Sequence, residues 1–529
     1  MTENQDLFLS VSDMEKLHLF EQVRQLKMSE ASYRDDLEAH RSLDMKIGDI
    51  NFRQTAVQMK KSYGSIYNTY DGIVQDIKKL LKKDDPTTEE IFSIDNDAYH
   101  FFLVSQSDAY NFLLAIIEDT CDSFERFYKE RGNSKATALR HLRPMRMFLK
   151  KFNVRITYER MRFVGKETDV RLALSTMCWE ATRGYVWPFE SIDEVGTNLL
   201  VHKFLQTFQT DVSTSMTIKF YNIYTAINCL RLYRDHPIQE DTKLSCLQYP
   251  NLNIYDNFVN YDEMNEFSNT KLAHIFSYFK TLSPEILMNE SCNTYNLINC
   301  ALSVVPEPIK QADQRYQYLR DYNTVLYDFV NEFFQAMPYN IQQRFDVNYD
   351  TMKLYKISLA NVMVGGLAYG ESYYQMLAIA TGENIGLSSI DLPELKKQIR
   401  NVLQHLFEKD EFTDFQGQEI LLTDIIYKVV LRLVVIFSKH FAVKIYPSIE
   451  TNQLYYLDLI YTLSSLPYVE LVEKPQDADL IVTSSSKAGE KPVHFDAYIF
   501  KWEYDKSNAQ YGSLLTLIRD IWTHKKISE

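Results

Sequence analysis

Apolar residues recur at steps of three and four along most of this chain, the period that gathers them on one stripe of an α-helix. Phe112, Leu113, Ile116, Ile117, Phe124 and Phe127 carry that spacing through residues 108–130. After the short break Arg131-Gly132-Asn133, with Ser134 as an N-cap, the period resumes in Ala138, Leu142, Met145, Leu149 and Phe152. Pro144 falls inside this second stretch, where a lost amide and a ring clash cost ~3 kcal/mol or more, so the helix is expected to kink or restart there. Two β-prone runs, 154–158 and 161–165, come next with little between them and predict a hairpin. Upstream lies a weaker copy: a short helix over 51–60, a turn over 61–64, a helix over 65–83 with Ile66, Ile73, Ile77 and Leu80 inward, and a second hairpin over 90–102. Helix, turn, helix and hairpin in this order is the grammar of a winged helix-turn-helix.

Between residues 169 and 440 the pattern is a succession of amphipathic helices, among them 197–208, 217–233, 269–278, 316–334 and 395–407. Loop punctuation at Asp235-His236-Pro237 and Pro306-Glu307-Pro308 divides them into two helical bundles, the second beginning near Ser283-Pro284. The period then changes to that of strands at 443–446, 469–472, 480–483 and 496–500, with helices at 454–464 and 512–524, which predicts a small α/β layer. The expected molecule is mainly α and multi-domain. Its parts are residues 1–103 (N-terminal cap and first winged helix), 104–172 (second winged helix), 173–283 and 284–440 (helical bundles) and 441–529 (α/β). Only 15 Gly and 14 Pro in 529 residues agree with long helices rather than turn-rich β architecture.

Charge changes the picture. The chain carries a net −14, yet residues 131–166 hold eleven bases against the single acid Glu159. A solvated helix face normally mixes signs, so this excess is a local device that fits DNA phosphates. Lys135, Thr137, Arg140 and His141, early in the recognition segment, are placed to reach base edges, while Arg143, Arg146, Lys150, Arg160, Arg162 and Lys166 suit phosphates. In the upstream copy, Lys60, Lys61, Ser62, Tyr63, Ser65 and Asn68 occupy the equivalent turn and helix start; its hairpin, with Asp95 and Asp97, is acidic and poorly suited to DNA.

Other chemistry is sparse. The six cysteines, at 121, 178, 229, 246, 292 and 300, show no CxxC pair and read as reduced core thiols; neither a metal site nor a cofactor is expected. No Gly-rich phosphate loop or HExxH motif supports an enzyme. The acidic N-terminus lacks the features of a signal peptide, which points to a cytoplasmic protein. The most apolar long segment, 421–441, is interrupted by Asp424, Lys428 and Arg432 and reads as a buried helix, so no membrane association is expected.

Several segments resemble the Mga/AtxA family of bacterial virulence regulators: the opening Leu7-Phe8-Leu9-Ser10-Val11-Ser12, the run 134–140, the segment Met161-Arg162-Phe163-Val164-Gly165, and the stretch from Trp179 to Trp187-Pro188-Phe189. The resemblance runs along most of the chain. It implies a transcription activator with two N-terminal domains that bind double-stranded DNA, two central phosphotransferase-system regulation domains (PRDs), and a C-terminal domain similar to the IIB component of sugar transporters. It also implies that bundle histidines accept phosphate from the phosphocarrier protein of that system. His202 and His274 are the candidates in the first bundle, and His405 and His440 in the second, for a neutral imidazole is nucleophilic near pH 7 and its phosphorylation adds charge. A working IIB domain would carry a Cys after its first strand. Here the loop at 447–452 has none, so the domain is expected to serve homodimerisation. The alternative reading is a phosphosensor acting through protein partners with a degenerate DNA-binding end.

Overall fold

The fold is that of a computed structural model which describes residues 6–30, 52–59, 61–207, 215–249, 271–300, 309–338, 349–380, 392–437, 442–449, 453–466, 468–483, 497–502 and 507–528. The chain forms two compact units. The first comprises Met1–Lys243, Tyr249–Ile298 and Glu371–Met376; the second, Leu244–Gln248, Asn299–Gly370 and Leu377–Glu529.

The first unit begins with helix α1 (Val11–Glu30), then α2 (Phe52–Gln58) and α3 (Tyr63–Leu81). Ser62 caps α3 by accepting the Ser65 amide at 3.2 Å, Ile66, Ile73 and Ile77 are buried, and Lys82 ends the helix in a left-handed conformation. The hairpin expected over 90–102 is absent. Those residues form α4 (Thr88–Ser93) and α5 (Asn96–Gln106), so the first helix-turn-helix has no wing among the described residues. Local capping decides this: Thr87 and Glu90 make a reciprocal capping box, and Asp95 accepts the Asp97 amide at 2.8 Å. Phe92 and Tyr99 then pack on Phe20 of α1 at centroid distances of 5.2 and 4.7 Å, burying the apolar residues in helical rather than strand register.

Residues 108–130, expected as one helical run, form α6 (Asp108–Ile117) and α7 (Phe124–Glu130), because Asp119 turns left-handed and Ser123 caps a new helix. The recognition segment is likewise two helices, α8 (Lys135–His141) and α9 (Arg143–Lys151). The restart expected at Pro144 is present: Pro144 lies in the first turn of α9, where its missing amide is harmless. The predicted hairpin comes next as antiparallel β1 (Arg155–Thr157) and β2 (Arg162–Val164). A bundle completes the unit: α10 (Glu167–Thr182), α11 (Glu194–Thr207), α12 (Ser215–Tyr233), α13 (Leu272–Phe279) and α14 (Pro284–Cys300). The helix that starts at Pro284, where the sequence suggests a second bundle, packs into this first unit through Glu290.

In the second unit the run 316–334 is broken at Asn323, whose side-chain oxygen accepts the Gln248 amide at 3.0 Å. Helices Ile309–Tyr322 and Thr324–Ala336 result. Phe329, Phe407, Phe412 and Phe415 form an aromatic cluster with centroid distances of 5.3–6.2 Å. The apolar 421–441 segment corresponds to helix Glu419–Phe437. No helix among the described residues is long and apolar enough to cross a membrane. The C-terminal sheet is parallel, in the order β4-β3-β5-β6, with β3 (Val443–Ser448), β4 (Val469–Leu471), β5 (Leu480–Thr483) and β6 (Tyr498–Lys501). Val443, Ile445, Leu480 and Val482 of the sheet meet Leu459, Leu463, Leu514 and Ile518 of two covering helices in its core.

Candidate nucleic-acid interface

Four devices build the interface around α6–α9 and the hairpin. Ser134 caps α8, its Oγ accepting the Thr137 amide at 3.1 Å and lying 3.0 Å from the Thr137 hydroxyl. Gly132, at φ +69°, turns the chain between α7 and α8. Asp108, nearly buried at the start of α6, ties down both the turn and the end of α8: its carboxylate accepts from Arg131 Nε, from Asn133 Nδ2 at 2.7 Å, and lies 2.6 Å from His141 Nδ1. Burial pushes the Asp108 carboxyl up, but the hydrogen bonds from His141 and Arg131, with their charges, outweigh burial and hold it below the usual carboxylate range. Finally, Tyr158 at the hairpin tip packs on Phe124 and Phe112 at 4.7 and 6.1 Å, seating the hairpin on α6 and α7.

On this frame the bases point outward. Ala138, Leu142, Met145, Leu149 and Phe152 are fully buried, and the opposite stripe of α9 exposes Arg143, Arg146, Lys150 and Lys151. Lys135 and Arg140 are exposed on α8. In the hairpin, Ile156 pairs with buried Phe163 on the inner face, while Arg155 opposite Val164 and Arg162 opposite Thr157 share the outer face. Arg160 at the tip and Lys166 after β2 are exposed. The result is a run of cations on three consecutive elements, with no carboxylate on them except Glu159. Such a face can hold a polyanion.

Residues 94–176 match the Mga helix-turn-helix domain. The chain therefore carries, over those residues, a segment similar to the helix-turn-helix domain of Mga regulators. No curated protein matches the chain.

The match spans α5 to the middle of α10 and contains every DNA-contact residue expected between 131 and 166. Two of these are placed otherwise than a base-reading role requires. His141 is drawn to Asp108, and Thr137 is half-buried and spends its amide on the Ser134 cap. Arg146 donates to the Leu139 carbonyl at 3.3 Å and so bridges the break between α8 and α9. The Asp108 clamp has no sequence signature, since its partners lie 23 to 33 residues away. Arg155 could have been found from strand alternation, which sets it on the outer face with Arg162.

Outside the Mga domain, Lys60 and His440 lie outside the described residues. Lys61 is ion-paired to Glu15 at 2.8 Å, Ser62 and Ser65 are engaged in the α3 cap, and Tyr63 and Asn68 are exposed. His202 on α11 and His274 on α13 are exposed, the latter with its ring 5.6 Å from that of Tyr233. His405 is exposed and 3.9 Å from Glu408.

Proposed function

We propose that the protein regulates transcription, as an activator, by docking α8, α9 and the β1–β2 wing on duplex DNA. The observation that carries this reading is the basic outer face of those three elements within the matched Mga domain. Lys135 and Arg140 specify by contacting base edges at the exposed start and end of α8; Arg143, Arg146, Lys150, Arg160, Arg162 and Lys166 anchor to phosphates. Replacing Arg160 and Arg162 with Ala is expected to weaken binding to every duplex alike and to lower the slope of log K against log salt by ~1 per lost contact. Replacing Lys135 and Arg140 should instead erode sequence preference. Fluorescence-anisotropy titrations of the full chain at several salt concentrations measure both, and an unchanged isotherm for the Arg160/Arg162 double variant removes the wing from the interface.

The finer reading extends the family resemblance. The two helical bundles act as PRDs that report carbohydrate supply on virulence or sugar-responsive genes, with His202 and His274 accepting phosphate from the phosphocarrier and the C-terminal sheet domain joining two copies. Exposure of both imidazoles supports this, since a donor protein must reach them. Mass spectrometry after incubation with phosphocarrier and phosphoenolpyruvate, with His202→Ala and His274→Ala as controls, tests it; no label at either position retires the assignment.

A further inference from the structure

The first helix-turn-helix has no wing among the described residues, yet the outer face of α3 carries a feature that the wing-bearing module does not. Tyr63 and Tyr67 are each 51% exposed and stack on one another at 6.4 Å and 17°. Phe52 of α2 buttresses both rings edge-on, at 6.5 and 6.2 Å. Stacked on each other and on Phe52, the two half-open rings form one contiguous exposed apolar patch, the kind of surface that contact sites carry. Gly64, between them, adds a second observation. A Cβ there would meet nothing within 4 Å, and its φ is not in the left-handed region, so neither space nor backbone geometry calls for glycine. Glycine weakens a helix relative to alanine. Its use at an open, exposed position fits a surface that something lies flush against.

We infer that this face of α3 reads thymine-containing duplex DNA in the major groove, with Tyr63 and Tyr67 packing on thymine C5-methyl groups, Asn68 beside them on an adenine edge, and Gly64 allowing close approach. The inference deepens the DNA-binding reading and rests on it. Apolar side chains recognise thymine through its methyl group, and Asn pairs bidentately with adenine N6 and N7. Residues 63, 64, 67 and 68 occupy the first two turns of α3, the part of a second helix that reaches base edges in a helix-turn-helix. Charge favours DNA over an apolar protein partner. The described residues from 52 to 83 hold six bases, Arg53, Lys61, Lys78, Lys79, Lys82 and Lys83, against Asp71 and Asp76; Asp76 is taken up by Lys16 at 2.9 Å, Lys61 by Glu15 at 2.8 Å and Lys83 by Glu90 at 2.6 Å, which leaves four cations against Asp71. Asp71 shares the exposed face and suits a cytosine amino group rather than a phosphate.

The test selects duplexes from a random library with the full-length protein, then replaces each thymine of the selected site by uracil, which removes only the methyl group. For the wild-type chain, at least one such replacement should weaken binding about fourfold, the effect of withdrawing one methyl group from an apolar contact. That penalty should vanish in Tyr67→Ala or Tyr63→Ala. Gly64→Ala should weaken binding to the selected site while leaving the melting temperature equal to or above that of the wild type, so its loss of binding cannot be charged to misfolding. Wild-type affinity and unchanged uracil penalties in all three variants overturn the inference, assign the face to a protein partner, and leave DNA binding by the Mga domain standing. Failure of the wild-type chain to select any duplex overturns both.

Discussion

His100 shows how a single buried side chain makes stability depend on pH. It is buried in α5, and its Nδ1 has no hydrogen-bond partner in the structure. Burial, assisted by the Arg183 charge, lowers its pKa from 6.5 to about 4, against a small opposing pull from Asp6. The unfolded chain therefore binds a proton near 6.5 that the folded chain refuses until about 4. Between those values the unfolded state holds more protons, so stability falls as pH drops through that window, by up to ~3 kcal/mol for this group. Denaturant titrations at about pH 7 and about pH 4.5, either side of most of that window, should show the loss, and His100→Phe should flatten it. Asp108 acts lower on the scale. Its folded pKa is depressed, so the stability it contributes is intact above the usual carboxylate value and is lost as pH falls through the depressed one. Asp108→Ala is expected to cost ~1–3 kcal/mol near neutral pH, read as a lowered denaturation midpoint, since it removes the common acceptor of Arg131, Asn133 and His141. Neither role was legible in the sequence. His100 falls in the run expected as a hairpin, where nothing marks it, and His141 looks like a base reader, because burial and partners 33 residues away are properties of the folded chain.

At the level of elements, local rules were legible wherever the decisive interaction is local. The wing could be read from two β-prone runs, and the α8–α9 break from Pro144, because backbone geometry alone enforces it. The hairpin expected over 90–102 fails for the same kind of reason: the capping box and the Asp95 cap are also local, and they start α4 and α5 on either side of Asp95, where the acidic hairpin tip is expected. The break at Pro144 also has a functional consequence. With Ala at this position the restored amide can bond to the Arg140 carbonyl, which lets α8 and α9 continue as one helix and turns the Arg143, Arg146 and Lys150 stripe relative to Lys135. Pro144→Ala is therefore expected to leave stability within ~1 kcal/mol of the wild type, while lowering duplex affinity severalfold. Paired denaturant and anisotropy titrations separate the two effects, and equal affinity for the variant means that the break does not aim the cations.

At the scale of the first unit, the wing is tied to the bundle through buried charge. Glu167 directly follows Lys166, and its Oε1 accepts from both Arg171 Nε and Arg231 Nε at 2.9 Å, its Oε2 from Arg231 at 2.6 Å. Arg171, fully buried, continues to Glu290 of α14, donating to its Oε1 at 2.8 Å and to its other oxygen, and to the His236 carbonyl at 2.9 Å. Glu290 also accepts the Ile238 amide at 3.0 Å. A second tie runs from Glu118, after α6, to the amides of Glu190 and Ser191 at 3.0 and 3.1 Å. Removing one member of a buried ion pair strands the other in a low dielectric, at a cost of ~3–5 kcal/mol. Glu290→Ala should thus destabilise the unit by about that much, whereas an Arg171→Met, Glu290→Met double variant should recover most of the loss, since apolar pairs of similar volume replace buried ion pairs at little net cost. How far the damage spreads depends on whether reading head and bundle unfold as one body. If they do, hydrogen exchange in Glu290→Ala will accelerate by the same factor in α6 as in α10, though α6 touches none of the altered atoms. Acceleration confined to α10, α12 and α14 would show that the Mga domain folds independently of the bundle, and that any signal from the bundle histidines must pass through the Glu118 tie instead.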